Sequence, residues 1–485
     1  MSKVRTRYAP SPTGKFHIGG ARTALFNYLY AKHNSGEFIV RIEDTDVERN
    51  VEGGIESQFS CLKWLNIFAD ESIESPTKHG PYIQSMKFDV YKKYAYELLN
   101  KKLAYRCFCT ADELTKAREM ATLSRETPKY SRKCYKLSES EIQSKLNQNI
   151  PYAIRLHINQ ENEYRWIDLI RGEMVVPASS MTDPVILKSN QIATYNFAVV
   201  IDDHDMNITH ILRGEEHISN TPYQIAIKEA LGFDDAFNYG HLSIIIDESG
   251  KKLSKRNLDI EQFIEGFMHK GYLSNALVNF IALLGWSDPD NNEILSMNDL
   301  IKKFSIDRIS LAPAFFDIKK LNWISNEYFK KMDNEIYSKF ILPFIKIDNP
   351  LLFNKEDKLA LFFKKNLHFA SEINELIKMN FLSDFSWQGL NENAKNLIIN
   401  SEKNKSLFIT LLDKFSNILE WNEINIKQAI KETGIEQNIS GKDLFMPIRL
   451  LMTGNEHGPE LAIIISIYDK SNVLKIIQEC ISNLN

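Results

Sequence analysis

The spacing of apolar and polar positions changes several times along the chain, and each change marks an element. Residues 4–8 (Val-Arg-Thr-Arg-Tyr) alternate with a β-branched bias and predict a short strand. Ala21, Ala24, Leu25, Tyr28 and Leu29 then recur at helical spacing until Gly36, a candidate C-cap. Residues 38–42 (Phe-Ile-Val-Arg-Ile) return to strand character. Strand, loop, helix and strand in this order form a βαβ unit, which presents a ligand to a helix N-terminus.

Further along, the texture shifts. Residues 91–189 hold a charged helical run at 112–125 and strand-like pieces such as 152–156, and read as an insertion between the halves of a sheet. Residues 193–201 are almost continuously apolar, which suits a buried strand or a buried helix turn equally. Residues 208–212 are the next strand candidate, with Arg213 at its C-terminal end. From 218 onward the pattern is mostly helical. Leu273, Ala276, Leu277, Phe280, Ile281 and Leu284 make an apolar stripe ending at Gly285, and Val473, Ile477, Cys480, Ile481 and Leu484 make another. Such stripes face cores. Open α/β sheets bind ligands outside the carboxyl ends of their strands, so Glu43 and Arg213 are expected to share one crevice.

Composition narrows this only slightly. A chain of 485 residues with 44% hydrophobic positions can build several cored domains. A net charge of −4 gives no global attraction to nucleic acid, so an RNA partner would have to be met by local basic faces. The N-terminus has no apolar h-region and no run of about 18 apolar residues occurs, which favours a cytoplasmic protein without a membrane partner. Five cysteines, an odd number, suggest reduced thiols.

The loop of the βαβ unit carries the candidate chemistry: Arg7-Tyr8-Ala9-Pro10-Ser11-Pro12-Thr13-Gly14-Lys15-Phe16-His17-Ile18-Gly19-Gly20. Its prolines stiffen the turn, its glycines allow close backbone approach, and His17 sits where the helix begins, so its ring and the first-turn N–H groups could both face a phosphate. It is neither a Walker loop nor Gly-x-Gly-x-x-Gly. Far downstream lies a basic turn, Lys251-Lys252-Leu253-Ser254-Lys255-Arg256.

Here the sequence resembles the class I aminoacyl-tRNA synthetases in their glutamyl form. Ala-Pro-Ser-Pro-Thr-Gly followed by His-Ile-Gly looks like the first signature of that family, and Lys252-Leu253-Ser254-Lys255 like the second. Ile42-Glu43-Asp44-Thr45-Asp46 and Ile211-Leu212-Arg213-Gly214-Glu215-Glu216 are similar to further glutamyl-type segments. The resemblance covers essentially the whole chain. It implies an α/β fold: a Rossmann-like parallel-sheet catalytic domain (1–90 and 190–217) with an inserted acceptor-end-binding domain (91–189). A helical stem-contact domain with the second signature (218–323) and an all-helical anticodon-binding region (324–485) follow.

The implied reaction is ATP-dependent attachment of L-glutamate to tRNA(Glu), with magnesium entering alongside ATP. The attacking carboxylate is already ionised, so positioning and charge cancellation must supply the catalysis. Carried over by the resemblance, His17, Lys252 and Lys255 are the catalytic candidates. Gly19, Gly20 and Ser254 join them around ATP, and Arg7, Ala9, Ser11, Glu43, Tyr195 and Arg213 surround glutamate. Glu43 is assigned to the ammonium and Arg213, with Arg7 assisting, to the side-chain carboxylate. The alternative for Arg213 is a structural salt bridge with Glu215 or Glu216. At Gly20 many class I enzymes carry a second histidine, which shifts phosphate contacts here onto other groups. Family members are commonly monomers.

Cys107, Cys109 and Cys134 resemble the cysteine framework of a structural zinc knob, with Lys136 where a histidine is usual. Tyr130 is the candidate fourth ligand, and zinc is left open, with no metal ligand assigned. Two rival readings exist, a shorter ATP-dependent nucleotidyltransferase and a non-catalytic tRNA-binding paralogue. Chain length argues against the first, and the retained signature residues against the second.

Overall fold

The computed structural model describes residues 3–125, 128–253, 261–401 and 403–484. In the first part of the chain, β1 (Arg5–Tyr8), α1 (Ile18–His33) and β2 (Glu37–Val40) form the expected βαβ unit, with β1 and β2 parallel and in register from Arg5↔Glu37 to Tyr8↔Val40. β1 is buried at every position although half of it is arginine. Arg5 is accommodated by Glu37 and Glu71, and Arg7 by Asp203, so the charges are paired rather than exposed.

The C-cap of α1 is Asn34, two residues before the expected Gly36. Gly36 serves packing instead. A Cβ there would lie 2.2 Å from the Val4 carbonyl oxygen, which accepts the Glu37 N–H. Only glycine lets the chain pass that close to the neighbouring strand.

After α2 (Gly54–Trp64) and α3 (Phe88–Asn100), a three-stranded antiparallel sheet is built from β3 (Ala104–Cys107), β4 (Ala153–Leu156) and β7 (Val185–Leu187). Between β3 and β4 lie α4 (Ala111–Leu123) and α5 (Glu139–Asn147), each opened by a capping box, Thr110 with Glu113 and Ser138 with Glu141. Between β4 and β7 sits the hairpin of β5 (Glu163–Asp168) and β6 (Gly172–Pro177).

The apolar run at 193–201 resolves as a helix, α6 (Tyr195–Asp205), begun by Thr194. Its residues 197–203 are all buried, which explains why no helical periodicity was visible. β8 (His210–Gly214) then joins the parallel sheet beside β1. α7 (Thr221–Leu231) leads to β9 (Asn238–Leu242), which pairs with β8 in register Arg213↔His241 and completes the order β2-β1-β8-β9. The parallel sheet therefore extends past 217 into a stretch expected to be helical. The segment Asn-Tyr-Gly-His-Leu shows no clear strand alternation, and β9 is specified by its buried neighbours instead.

By Cα proximity the chain divides into two units, Met1–Met268 with Ser274–Leu321, and His269–Leu273 with Asn322–Asn485. The second is built from helices, among them Glu356–Phe363, Lys403–Ser416, Glu423–Glu436, Lys442–Thr453 and Lys470–Asn483. They close over a core that includes Phe329, Tyr337, Phe408, Phe415, Ile448 and Ile477. Among the described residues no helix is long and apolar enough to cross a membrane.

Candidate active site

A cleft of about 470 Å³ opens at the carboxyl ends of β1 and β8 and is lined by Arg7, Ala9, Ser11, Glu43, Tyr195 and Arg213, the six residues expected around an amino acid. Gly19 and Gly20 line it as well, so the start of α1 faces the same space. Neither His17 nor Lys252 is among its lining residues.

His17 is the N-cap of α1. Its Nδ1 accepts the Gly19 N–H at 3.0 Å, so its proton is on Nε2, which lies 2.8 Å from Gln262 Oε1. Both ring nitrogens are therefore engaged in fixing the loop against residues 262–263, and the expected ring-to-phosphate contact would require the Gln262 bond to open. At Gly20 a Cβ would lie 2.8 Å from the hydroxyl of the buried Tyr8, so a histidine in this place would displace that ring. Lys252 is exposed, with its Nζ 3.9 Å from Glu216 Oε1. Ser254, Lys255 and Arg256 lie outside the described residues.

Beneath the cleft is a buried charge network that the sequence did not announce. Arg41 lies at its centre, with Nη1 donating to Asp203 Oδ1 at 2.8 Å and Nη2 to Glu43 Oε1 at 3.0 Å. Arg7 donates to the same Asp203 through Nε and Nη2, at 3.3 and 3.4 Å. Burial works against the Asp203 charge, but Arg7 and Arg41 outweigh it and hold its carboxyl below the usual range. Glu43 behaves differently. Burial pushes its carboxyl up despite Arg41 and Arg7, so an incoming cation would be welcome there.

Arg213 has a contrasting environment. It is 4% exposed, and all three of its hydrogen bonds go to neutral acceptors: Nε to His241 Nε2 at 3.1 Å, Nη1 to Gln224 Oε1 at 2.8 Å and Nη2 to Thr221 Oγ1 at 2.8 Å. Among the described residues no carboxylate pairs with it. Glu215 bonds Arg171 instead, so the structural salt bridge with Glu215 or Glu216 is not formed. Burial lowers the affinity of this guanidinium for its proton, as expected for a cation without a counter-charge. Above it, the Tyr195 hydroxyl lies 3.4 Å from His217 Nδ1.

Away from the cleft, Cys107, Cys109 and Cys134 bring their sulfurs within 4.8 Å of one another. The Tyr130 hydroxyl is 3.4 Å from Cys107 Sγ and 3.6 Å from Cys109 Sγ, and the Arg155 guanidinium covers its ring. A hydrogen bond from Cys134 holds the Cys107 thiol well below its usual pKa, against burial.

A parallel sheet with a Pro/Gly loop capped by histidine opens onto a cleft that offers both a buried carboxylate and an unpaired guanidinium, a pair suited to a ligand bearing an ammonium and a carboxylate. A family model described as "tRNA synthetases class I (E and Q), catalytic domain" matches residues 3–323, and one described as "Anticodon binding domain" matches residues 319–481. The chain belongs to this class I tRNA synthetase family. It is 57% identical to a glutamate–tRNA ligase of Mycoplasmoides gallisepticum, over 100% of this chain and 99% of that one. It is 50% identical to that of Mycoplasma genitalium over the whole of both chains. The crystal structure of a glutamate tRNA ligase from Elizabethkingia meningosepticum, in complex with its amino acid, superposes with a TM-score of 0.90 at 32% identity and covers both chains completely.

Proposed function

We propose that this chain is a glutamate–tRNA ligase that forms glutamyl-adenylate from L-glutamate and ATP, releases diphosphate, and passes the glutamyl group to the 3′-terminal adenosine of tRNA(Glu) with release of AMP. The observation that carries this reading is the buried Arg213, held among the described residues by neutral acceptors alone and sharing a cleft with Glu43. A ligand with an anionic end and a cationic end satisfies both groups, and the fork of Arg213 suits a carboxylate. Glutamine would leave Arg213 facing a neutral amide.

Catalysis then consists of holding the α-carboxylate of glutamate in line with the α-phosphate of ATP and cancelling charge on the departing diphosphate. Gly19 and Gly20 at the start of α1 would receive the nucleotide, and Lys252, Ser254 and Lys255 would meet its phosphates. Magnesium would enter as the ATP complex. His17 would hold the loop and helix start in place and reach phosphate only if its bond to Gln262 opened. The reading places the protein in the cytoplasm as a monomer serving protein synthesis.

The donor set of Cys107, Cys109, Cys134 and Tyr130 fits a structural zinc, which would clamp the 107–134 segment. Metal analysis of the purified protein is expected to give about one zinc per chain; a chain free of zinc that retains its thermal stability would remove that assignment.

The functional test is glutamate attachment to purified tRNA(Glu) and, separately, tRNA(Gln). Charging the first alone marks a discriminating enzyme, and charging both marks a relaxed one. Charging of neither, with ATP and magnesium present, overturns the proposal.

A further inference from the structure

We propose that Asp168 and His241 are a positioning pair that keeps Arg213 charged, oriented and free for an anionic ligand; this rests on the glutamate-binding reading of the cleft. Neither residue lines the cleft. Arg213 and His241 are cross-strand neighbours on β8 and β9, while Asp168 arrives from the last residue of β5. The Asp168 and His241 side chains are 0% exposed.

The hydrogen-bond pattern places the imidazole proton of His241. Asp168 Oδ2 lies 2.5 Å from His241 Nδ1, and a carboxylate only accepts, so the proton is on Nδ1. Nε2 is then a bare lone pair; it takes the Nε–H of Arg213 at 3.1 Å and lies 3.2 Å from Thr221 Oγ1. Asp168 is held at its charge, since the His241 bond and backbone N–H groups outweigh the burial that opposes it. Burial of His241 favours its neutral form, which agrees with this tautomer. A guanidinium has five N–H donors. Three are committed to His241, Gln224 and Thr221, which leaves two for a ligand. A carboxylate in place of His241 would also hold the fork, but it would neutralise the charge that the ligand must meet. A protonated histidine would repel it. A neutral imidazole with its tautomer fixed from behind orients Arg213 without cancelling its charge.

Asp168 cannot be exchanged for its neutral isostere without inverting this order. Its Oδ1 accepts three backbone N–H groups, from Ile170 and Arg171 at 3.1 Å and from His241 at 3.2 Å. In Asp168→Asn the amide oxygen must stay at that position, so the NH₂ group occupies the place of Oδ2 and donates to His241 Nδ1. The imidazole then carries its proton on Nε2, where it meets Arg213 Nε–H, a donor against a donor, and its one other acceptor among the described residues, Thr221 Oγ1, is already taken by Arg213 Nη2.

Two measurements test this. In wild-type protein with ¹⁵N-labelled histidine, the long-range ¹H–¹⁵N spectrum should show His241 as the neutral Nδ1–H tautomer, and Asp168→Asn should convert it to Nε2–H. In glutamate activation with tRNA present, Asp168→Asn should raise the KM for glutamate about tenfold or more. The KM for ATP should stay within about twofold, and discrimination against glutamine should fall. A wild-type His241 protonated on Nε2, or an unchanged glutamate KM in the variant, would overturn the proposal. Equal losses toward glutamate and ATP, with a lowered Tm, would reduce the pair to a structural contact. A wild type unable to attach glutamate would instead sink the functional reading, and the tautomer measurement would still decide the geometry.

Discussion

Replacing Arg213 with alanine tests the cleft most directly. The substitution removes a guanidinium that is 4% exposed and has three neutral hydrogen-bond partners within the protein. Two N–H donors remain for the substrate carboxylate, and a hydrogen bond to a charged group contributes about 1.5–3 kcal/mol. Their loss costs about 3–6 kcal/mol of transition-state binding, or about 10²- to 10⁴-fold in kcat/KM for glutamate. The assay is ATP–pyrophosphate exchange with tRNA and magnesium present, varying glutamate, glutamine and ATP in turn. The KM for ATP should hardly change, and the preference for glutamate over glutamine should collapse, because the charge that separates the two amino acids is gone. Arg213→Lys keeps the charge without the fork and should recover about half of the lost free energy. An alanine variant within about tenfold of wild type for glutamate would refute the reasoning. So would equal damage toward ATP, which would mean general disruption of the cleft.

Three further outcomes are expected. Lys255→Ala should lower the rate constant of activation by about 10²-fold or more while ATP affinity, read by equilibrium binding, changes far less; a change in affinity alone would remove its transition-state role. Gly36→Ala should destabilise the protein by about 2–4 kcal/mol in denaturant unfolding, because the new methyl meets the Val4 carbonyl rather than a side chain that can move; a loss below about 0.5 kcal/mol would show that the α1–β2 junction yields. His217, which lines the cleft, has its pKa pushed down to about 4, mainly by burial and then by Arg213. Its unfolded form takes up a proton near pH 6.5 and its folded form only near pH 4, so its contribution to stability is intact above about pH 6.5 and declines as pH falls toward 4. The difference in Tm between wild type and His217→Gln should change across that window and stay constant above it. A constant difference from pH 4 to 8 would contradict the burial argument.

Much of this protein was legible in one dimension because its chemistry is tied to local elements. The period change from 2 to 3.6 marked β1, α1 and β2, and a ligand-binding loop must sit between such elements, so Ser11, Gly19 and Gly20 could be named from spacing and resemblance. Glu43 and Arg213 were expected in one crevice because both lie at carboxyl ends of strands, and the cleft joins them. What remained hidden depends on burial and on partners distant in sequence. The run at 193–201 could not be assigned as strand or helix, because a helix buried on all sides loses the periodicity that betrays it. Strand β9 carries no clear hydrophobic alternation, so its place beside β8 is decided by the sheet. The same holds for the charges. Sequence supplies Arg7, Arg41, Asp203, Asp168 and His241, but only the fold determines which of them neutralise one another and which leave Arg213 unpaired. Hydrogen bonding acts over about 3 Å, and residues 28 and 73 positions apart enter that range only when β5, β8 and β9 converge.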